Sequence, residues 1–266
     1  MDNLSGRTHS LFTSTVSGDV DGETMIVGES LTKLATTQSF GYIVGSMWLG
    51  RSVKSKKTEE VINLALRLLV DNGPYVSGAV NTMITARAGR DLISSLVSGL
   101  LTIGPRFGGA VNGAAKIWFE SVLSKLDPAR VVEDFAKRKE YIFGIGHKKY
   151  RIDLPEPRVP LLVKLVEKIP HPHLDFARAV EKITSTKKPN LILNVDGALA
   201  AIMLDLLVYE EKMECDEIES LIAGEFFNAL FILSRSVGFV AHHLDQKRLD
   251  EGLFRLPEDQ VLTVKS

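Results

Sequence analysis

An imidazole and a carboxylate each stand in sequence settings that suit acid-base chemistry. His147 follows a glycine-rich turn at residues 144–146, where the small residues would let a ligand reach backbone N–H groups and the ring. Asp196 interrupts the apolar run 191–204, in which an uncompensated charge is costly and has a shifted pKa. Each also has a purely structural explanation, since His147 could end a helix and Asp196 could cap one.

Several cations near turns could bind an anionic ligand. Arg158, Arg235 and Arg255 lie beside turns or in apolar surroundings, and guanidinium groups bind carboxylates through two parallel hydrogen bonds. Lys187 and Lys188 precede a proline and could hold a phosphate, although a solvated pair of surface charges is the default interpretation. The arginines would suit a ligand with several carboxylates.

The composition argues against several other classes of protein. Lys and Arg number 32 against 33 Asp and Glu, so the formal charge of −1 offers no general attraction to nucleic acid or to an anionic membrane. One cysteine, Cys215, can form neither a disulfide framework nor a cysteine-rich zinc site. Since no basic start leads into an apolar segment and no clean apolar run reaches membrane-spanning length, we expect a cytoplasmic protein.

Motifs for metals, nucleotides and serine hydrolases are missing from the sequence. The pairs His171/His173 and His242/His243 have no third imidazole and carboxylate at zinc spacing, so no metal is expected. There is no GxGxxG, no Walker loop and no GxSxG. Nucleotide hydrolysis and serine-hydrolase chemistry therefore lack their usual signatures.

The segments that must position these residues are mostly helical. Glycines and prolines fall between the periodic segments rather than inside them. An acidic turn at 19–23 and a β-favouring run at 24–28 predict a small hairpin or irregular arm before the helices. The apolar spacing predicts helices from Thr58 to a stop at Gly73-Pro74, and over 76–88, 90–101, 109–126, 128–141, 159–169, 174–183, 191–213, 216–240 and 244–249.

Five separated motifs, taken together and in this order, resemble the C-terminal citrate-synthase-like module of ATP-citrate lyase. The resemblance runs from about residue 10 to residue 257. More distantly, the GPRFG, GIGH and NVD blocks are similar to the GPLHG, GYGH or GFGH, and NVD blocks of citrate synthase. The motifs are DNGPYVSGA (71–79), ARAGRDLISSLVSGLLTIGPRFGGA (86–110), GIGH (144–147), EKITSTKKPNLILNVDG (181–197) and SRSVGFVAHHLDQKRLDEGLFR (234–255).

The resemblance implies a mostly α, citrate-synthase-like fold with a large helical domain and a smaller helical domain. Residues 1–140, with the N-terminal arm, and 231–266 would form the large domain, and 141–230 the small one. The implied activity is that of a stand-alone citryl-CoA lyase, which splits (3S)-citryl-CoA into acetyl-CoA and oxaloacetate by a retro-Claisen reaction in the reductive citric acid cycle. Coenzyme A then enters as part of substrate and product, and no permanently bound cofactor is expected.

The resemblance also implies roles for the two acid-base residues. His147 matches the citrate synthase histidine that hydrogen-bonds the carbonyl oxygen of oxaloacetate, and in cleavage it would receive, or stabilise the loss of, the hydroxyl proton. Asp196 matches the aspartate that removes a methyl proton from acetyl-CoA, and it would return a proton to the enolate. In the alternative, Asp196 deprotonates the hydroxyl and His147 gives electrostatic support; the sequence leaves both assignments open.

Substrate-binding residues are implied by the same motifs. Arg158, Arg235 and Arg255 match arginines that bind carboxylates, and Arg255 holds the position at which citrate synthases supply an arginine from the neighbouring subunit. Asn72 replaces a histidine of both families; it can donate a hydrogen bond but carries no charge. Phe107 stands where citrate synthase has its enolate-stabilising histidine, a replacement that ATP-citrate lyase shares. A phenylalanine ring offers the enolate no hydrogen-bond donor.

Coenzyme A is expected along the glycine turn and the basic turn before Pro189. Arg106, beside Phe107 in GPRFG, is assigned to substrate binding. The coenzyme A contacts implied by the resemblance are Gly144, Ile145, Gly146, Lys187 and Lys188.

An arginine that crosses between subunits would require at least a dimer, and the resemblance suggests a tetramer. A separate citryl-CoA synthetase is the implied partner.

Two alternatives to the lyase remain. A condensing citrate synthase-type enzyme is disfavoured by Phe107, although cleavage passes through the same enolate. A lyase or tetramerisation subunit of a multisubunit ATP-citrate lyase is the other; a purely structural role is disfavoured by the retained catalytic and arginine residues.

Overall fold

Helices dominate the computed structural model, which describes residues 12–264. This confirms the mostly α fold expected from the sequence. Three strands precede the helices: β1 (Ser17–Val20), β2 (Glu23–Ile26) and β3 (Glu29–Ser30). The helices are α1 (Leu31–Thr37), α2 (Phe40–Leu49), α3 (Lys56–Leu68), α4 (Ser77–Arg87), α5 (Leu92–Leu100), α6 (Ala110–Leu123), α7 (Pro128–Arg138), α8 (Arg158–Val166), α9 (Pro172–Lys187), α10 (Val195–Tyr209), α11 (Cys215–Ala223) and α12 (Phe226–Leu249), and a 3₁₀ turn follows at Glu258–Gln260.

The N-terminal arm is an antiparallel sheet with strand order β1-β2-β3. Two-residue turns join the strands, and their residues all have positive φ: Asp21 (53°), Gly22 (82°), Val27 (49°) and Gly28 (82°). This conformation is typical of the tight hairpin turns that match the twist of the flanking strands. The predicted hairpin is confirmed, with one strand more than expected.

Helix α10 is the centre of the core. Its residues from Gly197 to Leu207 are all buried, and it packs against α3, α6, α8 and α9. Because neighbours cover the helix on every side, its sequence has no polar face. The one acid in the stretch from Gly197 to Leu207, Asp205, accepts hydrogen bonds from the N–H groups of His173 (3.0 Å) and Leu174 (3.1 Å) at the start of α9. Asp205 thereby joins the two helices.

The final long helix is separated from α11 by a break that the apolar pattern does not predict. Gly224 ends α11, and Glu225 has a φ of 59°. From Phe226 the helix α12 then runs without interruption to Leu249. The prediction of one helix over 216–240 and another over 244–249 is therefore wrong, because the change of direction lies at a left-handed residue and not at a polar gap.

Helices α1 and α2 are also absent from the predictions. The first 50 residues are rich in Ser, Thr and Gly, which is typical of loops. Here two of those hydroxyls serve as helix caps, since Ser30 Oγ accepts from Lys33 N and Ser39 Oγ accepts from Tyr42 N. A loop-like composition thus hides two helix starts.

One hydrophobic cluster extends through all three predicted domain segments, with members such as Trp118, Leu199 and Phe231. The division at residues 140 and 230 stays a prediction. Within residues 12–264 no single helix is long and apolar enough to cross a membrane, and α11 with α12 meets that criterion only as a pair bent by 46°.

Candidate active site

The glycine turn before His147 lies directly against the start of α10. Gly144 has a φ of 81°, and a Cβ at this position would lie 2.4 Å from the Cα of Gly197. The two segments are also joined by a hydrogen bond from Asn194 N to Gly144 O (3.0 Å). Because no side chain fits between these backbones, glycine at 144 sets how closely the turn approaches the helix.

Two backbone donors of this turn are used inside the fold. Gly146 N donates to Ile192 O (2.7 Å), and His147 N donates to Asn190 O (2.9 Å). A ligand cannot take these hydrogen bonds without breaking the pairing. The expectation that a ligand reaches the N–H groups of this turn is therefore wrong for Gly146 and His147.

His147 has the tautomer that donates from Nε2. Its Nδ1 accepts hydrogen bonds from the backbone N–H groups of Lys149 and Tyr150, each at 3.0 Å. In a neutral imidazole the other nitrogen then carries the hydrogen. Burial lowers the pKa of His147, Glu156 opposes that shift, and Arg158 and Lys149 add to it. The neutral ring thus presents a hydrogen-bond donor rather than a base.

Asn194 caps α10, and Asp196 does not. Asn194 Oδ1 accepts from the N–H groups of Asp196 and Gly197, both at 3.1 Å, while its Nδ2 donates to Gly146 O (2.8 Å). Asp196 is the second residue of the helix. The alternative of Asp196 as the N-cap is therefore wrong, because an amide two residues earlier occupies that position.

Burial raises the pKa of Asp196 from its ordinary value of 3.8 to about 6. Arg158 and Arg235 lower it, and Glu156 raises it further. A carboxyl group with this pKa is ionised at neutral pH yet accepts a proton far more readily than an ordinary aspartate does. Asp196 can therefore take up and return a proton within one reaction.

Arg158 is held by a buried acid that the sequence analysis does not single out. The Glu156 side chain is fully buried, and its Oε1 accepts from Nε and from a terminal nitrogen of Arg158. Its Oε2 accepts from the N–H of Val195, the first residue of α10 (2.8 Å). One carboxylate thus ties the start of α8 to the start of α10.

Arg235 is almost completely buried in α12, with 2% of its surface exposed. Its Nε donates to Leu69 O (2.9 Å), and its guanidinium lies over the Phe231 ring, 4.5 Å from the centroid. The terminal nitrogen Nη1 is buried and has no hydrogen-bond partner among the described residues. A buried charged donor without a partner is costly, so this nitrogen suits an anionic ligand oxygen.

Most of the predicted substrate residues surround one small cavity of about 160 Å³. Three guanidinium groups and one neutral imidazole face two carboxyl groups there, which favours a ligand with more than one carboxylate. Phe107 packs edge-to-face on Phe231 with ring centroids 6.1 Å apart. The lining residues are Asn72, Arg106, Phe107, Gly108, His147, Glu156, Arg158, Asn194, Val195, Asp196, Phe231 and Arg235.

A larger cavity of about 830 Å³ adjoins the small one. Its wall consists mainly of the segment between α7 and the glycine turn, which includes the exposed ring of Tyr141. Both cavities share Arg106, Gly108, Asn194 and Asp196. The full lining is Pro105, Arg106, Gly108, Ala110, Phe135, Lys139, Glu140, Tyr141, Ile142, Phe143, Gly144, Ile145, Asn194 and Asp196. Asp196 therefore lies where a small cationic cavity adjoins a larger cavity of mixed polarity.

Four predicted residues, Gly146 among them, do not line either cavity. Arg255 is exposed in the segment after α12, and Lys187 and Lys188 are exposed at the end of α9. The lysine turn lies next to the loop that follows His147, since Ile152 N donates to Pro189 O (2.8 Å). Gly146 contributes through its backbone pairing, whereas Gly144 and Ile145 contact the larger cavity directly.

Three parts of the site are not predicted from the sequence, namely Glu156, Asn194 and the wall at 139–143. Glu156 stands between two prolines, two residues before Arg158, where an acid in a rigid turn would have been a usable signal. Asn194 precedes Asp196 by two residues, at the spacing of a helix cap. Among the described residues, no group of three or more His, Cys, Asp and Glu side chains could hold a metal ion.

The family model, the related sequences and the solved structures that resemble this chain all point to the same family. The family model described as "Citrate synthase, C-terminal domain" matches residues 20–256. The probable ATP-citrate synthase subunit 1 of Neurospora crassa is 42% identical over 258 residues, which cover 96% of this chain and 38% of that protein. The chain therefore spans about two fifths of the length of that relative.

Two solved structures share the fold closely. An ATP citrate lyase mutant from Methanosaeta concilii, in complex with (3S)-citryl-CoA, superposes with a TM-score of 0.93 at 36% identity, covering 98% of this chain and 42% of that one. The citryl-CoA lyase of Hydrogenobacter thermophilus has a TM-score of 0.81 at 25% identity, covering 97% of this chain and 95% of that one. The expected citrate-synthase-like fold is confirmed.

Proposed function

The chain belongs to the citrate synthase family, because it matches the model of that family's C-terminal domain. From this membership we propose that it cleaves citryl-CoA into acetyl-CoA and oxaloacetate. The observation that supports this best is the meeting of the two cavities at Asp196. Citryl-CoA joins a compact group with two free carboxylates to a long thioester arm, and the bond to be broken lies between them. A small cationic cavity that adjoins a larger one is complementary to such a molecule.

The carboxylates belong in the small cavity, on the arginines. Arg235 offers its unpartnered Nη1, and Arg158 keeps guanidinium donors beyond those that Glu156 takes. Asn72 and Arg106 line the same cavity and add donors. The pantetheine arm then follows the larger cavity along Tyr141, whose wall combines apolar side chains with Lys139 and Glu140.

Asp196 is the base for the citryl hydroxyl, and His147 supports the same oxygen by donating from Nε2. His147 cannot take the proton, because its Nδ1 already accepts two backbone hydrogen bonds. As the carbon-carbon bond breaks, the hydroxyl oxygen becomes the ketone oxygen of oxaloacetate, and the electron pair moves to acetyl-CoA as an enolate. Asp196 then gives its proton to the enolate carbon, so proton and charge balance without a further reactant.

Phe107 gives the enolate no hydrogen-bond donor. We assign the stabilisation of the enolate oxygen to the backbone N–H of Gly108, because the single donor of the neutral His147 ring already binds the citryl oxygen. Gly108 lines both cavities, and the amides on either side of it, Phe107 N and Gly109 N, donate to Gly104 O (2.8 and 2.9 Å). A hydrogen-bond donor stabilises the developing enolate charge most when the protein already holds it in position before the reaction.

The phosphates of coenzyme A are assigned to the exposed basic turn Lys187-Lys188, with Gly144 and Ile145 along the arm. We further propose that the cleavage serves the reductive citric acid cycle, the role that the resemblance implies. Because the chain spans about two fifths of its ATP-citrate synthase relative, a lyase role within a larger ATP-citrate lyase, beside a citryl-CoA-forming partner, is the second candidate.

The test is to give the purified chain citryl-CoA without ATP and to follow oxaloacetate with malate dehydrogenase and NADH, and acetyl-CoA by chromatography. We expect both products in equal amounts. Cleavage only after a citryl-CoA-forming subunit is added would favour the second candidate. Free citrate without acetyl-CoA, or no product under either condition, would contradict the lyase.

A further inference from the structure

Glu156 connects two elements of the small cavity that are otherwise far apart in sequence. Its Oε1 binds the Arg158 guanidinium at the start of α8, and its Oε2 binds Val195 N (2.8 Å) at the start of α10. Asp196 is the next residue along that helix. The fully buried carboxylate therefore fixes the carboxylate-binding arginine and the base relative to each other.

We propose that Glu156 is a positioning residue that holds Arg158 and the start of α10 in one geometry, so that a substrate carboxylate on Arg158 brings the reacting hydroxyl to Asp196. The inference rests on the proposed function, which supplies that substrate. It does not require Glu156 to touch the reacting atoms.

The chemistry of the contacts requires a carboxylate of this length. Arg158 turns one edge of its guanidinium to Glu156 and keeps its remaining N–H groups for a ligand. Both Glu156 oxygens accept hydrogen bonds. A glutamine has a single acceptor oxygen, so its NH₂ group would face either Arg158 or the Val195 N–H and leave a buried donor unsatisfied. An aspartate keeps the charge but is one methylene too short to reach both partners.

Glu156 also offsets the positive charge around the base. The charged groups facing Asp196 are Arg158 from α8, Arg235 from α12 and Glu156 itself. Arg106 lines the same cavity. Lys149 lowers the pKa of His147, and Asp71 raises the pKa of Arg235. Glu156 raises the pKa of both Asp196 and His147, so its neutralisation leaves Arg158 unopposed and lowers both.

The first experiment compares Glu156→Gln with wild type in citryl-CoA cleavage across pH. We expect kcat/KM to fall by about tenfold to a hundredfold, the usual loss when a buried charged hydrogen-bond partner is removed, and the acidic limb of the profile to move to lower pH. The control is Glu167→Gln, an exposed glutamate at the end of α8, which should change neither. A lower melting temperature with unaltered kcat/KM and pH profile would mean that Glu156 is only structural.

The second variant, Glu156→Asp, separates geometry from charge and also serves if Glu156→Gln does not fold. We expect kcat/KM to fall, because one of the two contacts is lost, while the acidic limb stays near that of wild type. A wild-type kcat/KM in Glu156→Asp would overturn the positioning role, since the exact reach of the side chain would then not matter.

A third readout needs no turnover and therefore distinguishes failure of this inference from failure of the proposed function. His147 is followed by NMR in protein labelled with ¹³C at histidine Cε1, with His147→Asn identifying its signal. Glu156→Gln should lower the pKa of His147, and Glu167→Gln should leave it unchanged. The contacts themselves are read in the same variants from hydrogen exchange of the Val195 amide and the Arg158 Nε–H, and Glu156→Gln should expose at least one of them. Unchanged protection of both would overturn the inference even in a chain that cleaves citryl-CoA, and lost protection would support it even in a chain that does not.

Discussion

At the level of single residues, the chemistry depends on two acid-base groups, His147 and Asp196, whose surroundings give them different protonation states. His147 is fixed as a neutral donor by two backbone amides, while Asp196 is left as a carboxylate whose pKa burial raises to about 6. Opposite shifts in neighbouring groups are a common way for a site to separate its donor from its base. This pairing makes Asp196 the residue whose removal should matter most.

Replacing Asp196 with asparagine should lower kcat for citryl-CoA cleavage by about 10²–10⁴-fold, because proton transfer by a positioned side chain contributes on that order. The matched control is Asp216→Asn, since Asp216 is also the second residue of its helix, α11, but is exposed. Steady-state kinetics with circular dichroism and light scattering check the result. Wild-type activity in Asp196→Asn would remove Asp196 from the mechanism.

The pH profile of the wild-type chain should follow the same carboxyl group. Since the base must be ionised, kcat/KM should fall about tenfold per pH unit below about pH 6. His147 should add no limb at neutral pH, because burial lowers its pKa and keeps the ring uncharged there. A profile that stays flat down to pH 5 would assign proton transfer to another group.

Asp196 should also cost stability at neutral pH. Its pKa is raised from 3.8 to about 6 on folding, so the folded chain holds this proton more tightly than the unfolded chain does. Stability therefore decreases as pH rises from about 4 to 6 and the penalty is complete above that, at about 3 kcal/mol for about two pKa units. In urea unfolding, Asp196→Asn should be more stable than wild type at pH 8 and nearly equal at pH 4; equal stability at both pH values would contradict the raised pKa.

At the scale of elements, the site depends on the approach of the glycine turn to α10. Gly144→Ala places a Cβ 2.4 Å from the Gly197 backbone, whereas Gly89→Ala, at nearly the same φ (84° against 81°), meets nothing within 4 Å. Both should incur the left-handed penalty of about 1–2 kcal/mol. Only Gly144→Ala should lose more folding stability than this, and it should also lose most of its cleavage activity. Denaturant unfolding and kinetics of the two variants test it, and equal effects would mean that the close approach is unimportant.

The same elements show what the sequence could predict. Amphipathic segments such as α3 and α7 follow from their apolar spacing, and the apolar run around α10 correctly predicts a buried helix. The run starts four residues too early, because residues 191–194 have the composition of the helix but pair with the glycine turn instead. The break at Glu225 and the role of Glu156 depend on contacts between distant segments, which no local pattern contains.

In the whole molecule, two exposed features would be covered if two copies of the chain associated. Helix α5 and its C-cap residue Leu101 present an apolar stripe, in which Ile93, Val97 and Leu101 are 74%, 45% and 81% exposed. Arg255, assigned to the substrate by resemblance, lies outside both cavities of its own chain. The segment before it is held to the end of α4 by Arg87, whose Nε donates to Gly252 O (2.7 Å). We propose that the chain dimerises and that Arg255 completes the partner's site.

Mixing two inactive variants tests this sharing. Asp196→Asn and Arg255→Ala should each have little activity as pure dimers. In a mixed dimer, the subunit with intact Asp196 receives Arg255 from its partner, so one of two sites is complete. Random exchange then restores about a quarter of wild-type activity, by the symmetry of a two-fold dimer. No recovery in mixtures whose exchange is confirmed by mass spectrometry would show that Arg255 does not cross.

An experimental structure of Asp196→Asn with citryl-CoA would show directly how the substrate lies in the two cavities. We predict the citryl carboxylates on Arg158 and Arg235 in the small cavity, and the pantetheine arm along Tyr141 in the large one. The citryl hydroxyl should lie within hydrogen-bond distance of both the residue 196 side chain and His147 Nε2. An arm that leaves by another route, or a hydroxyl out of reach of residue 196, would contradict the proposed site.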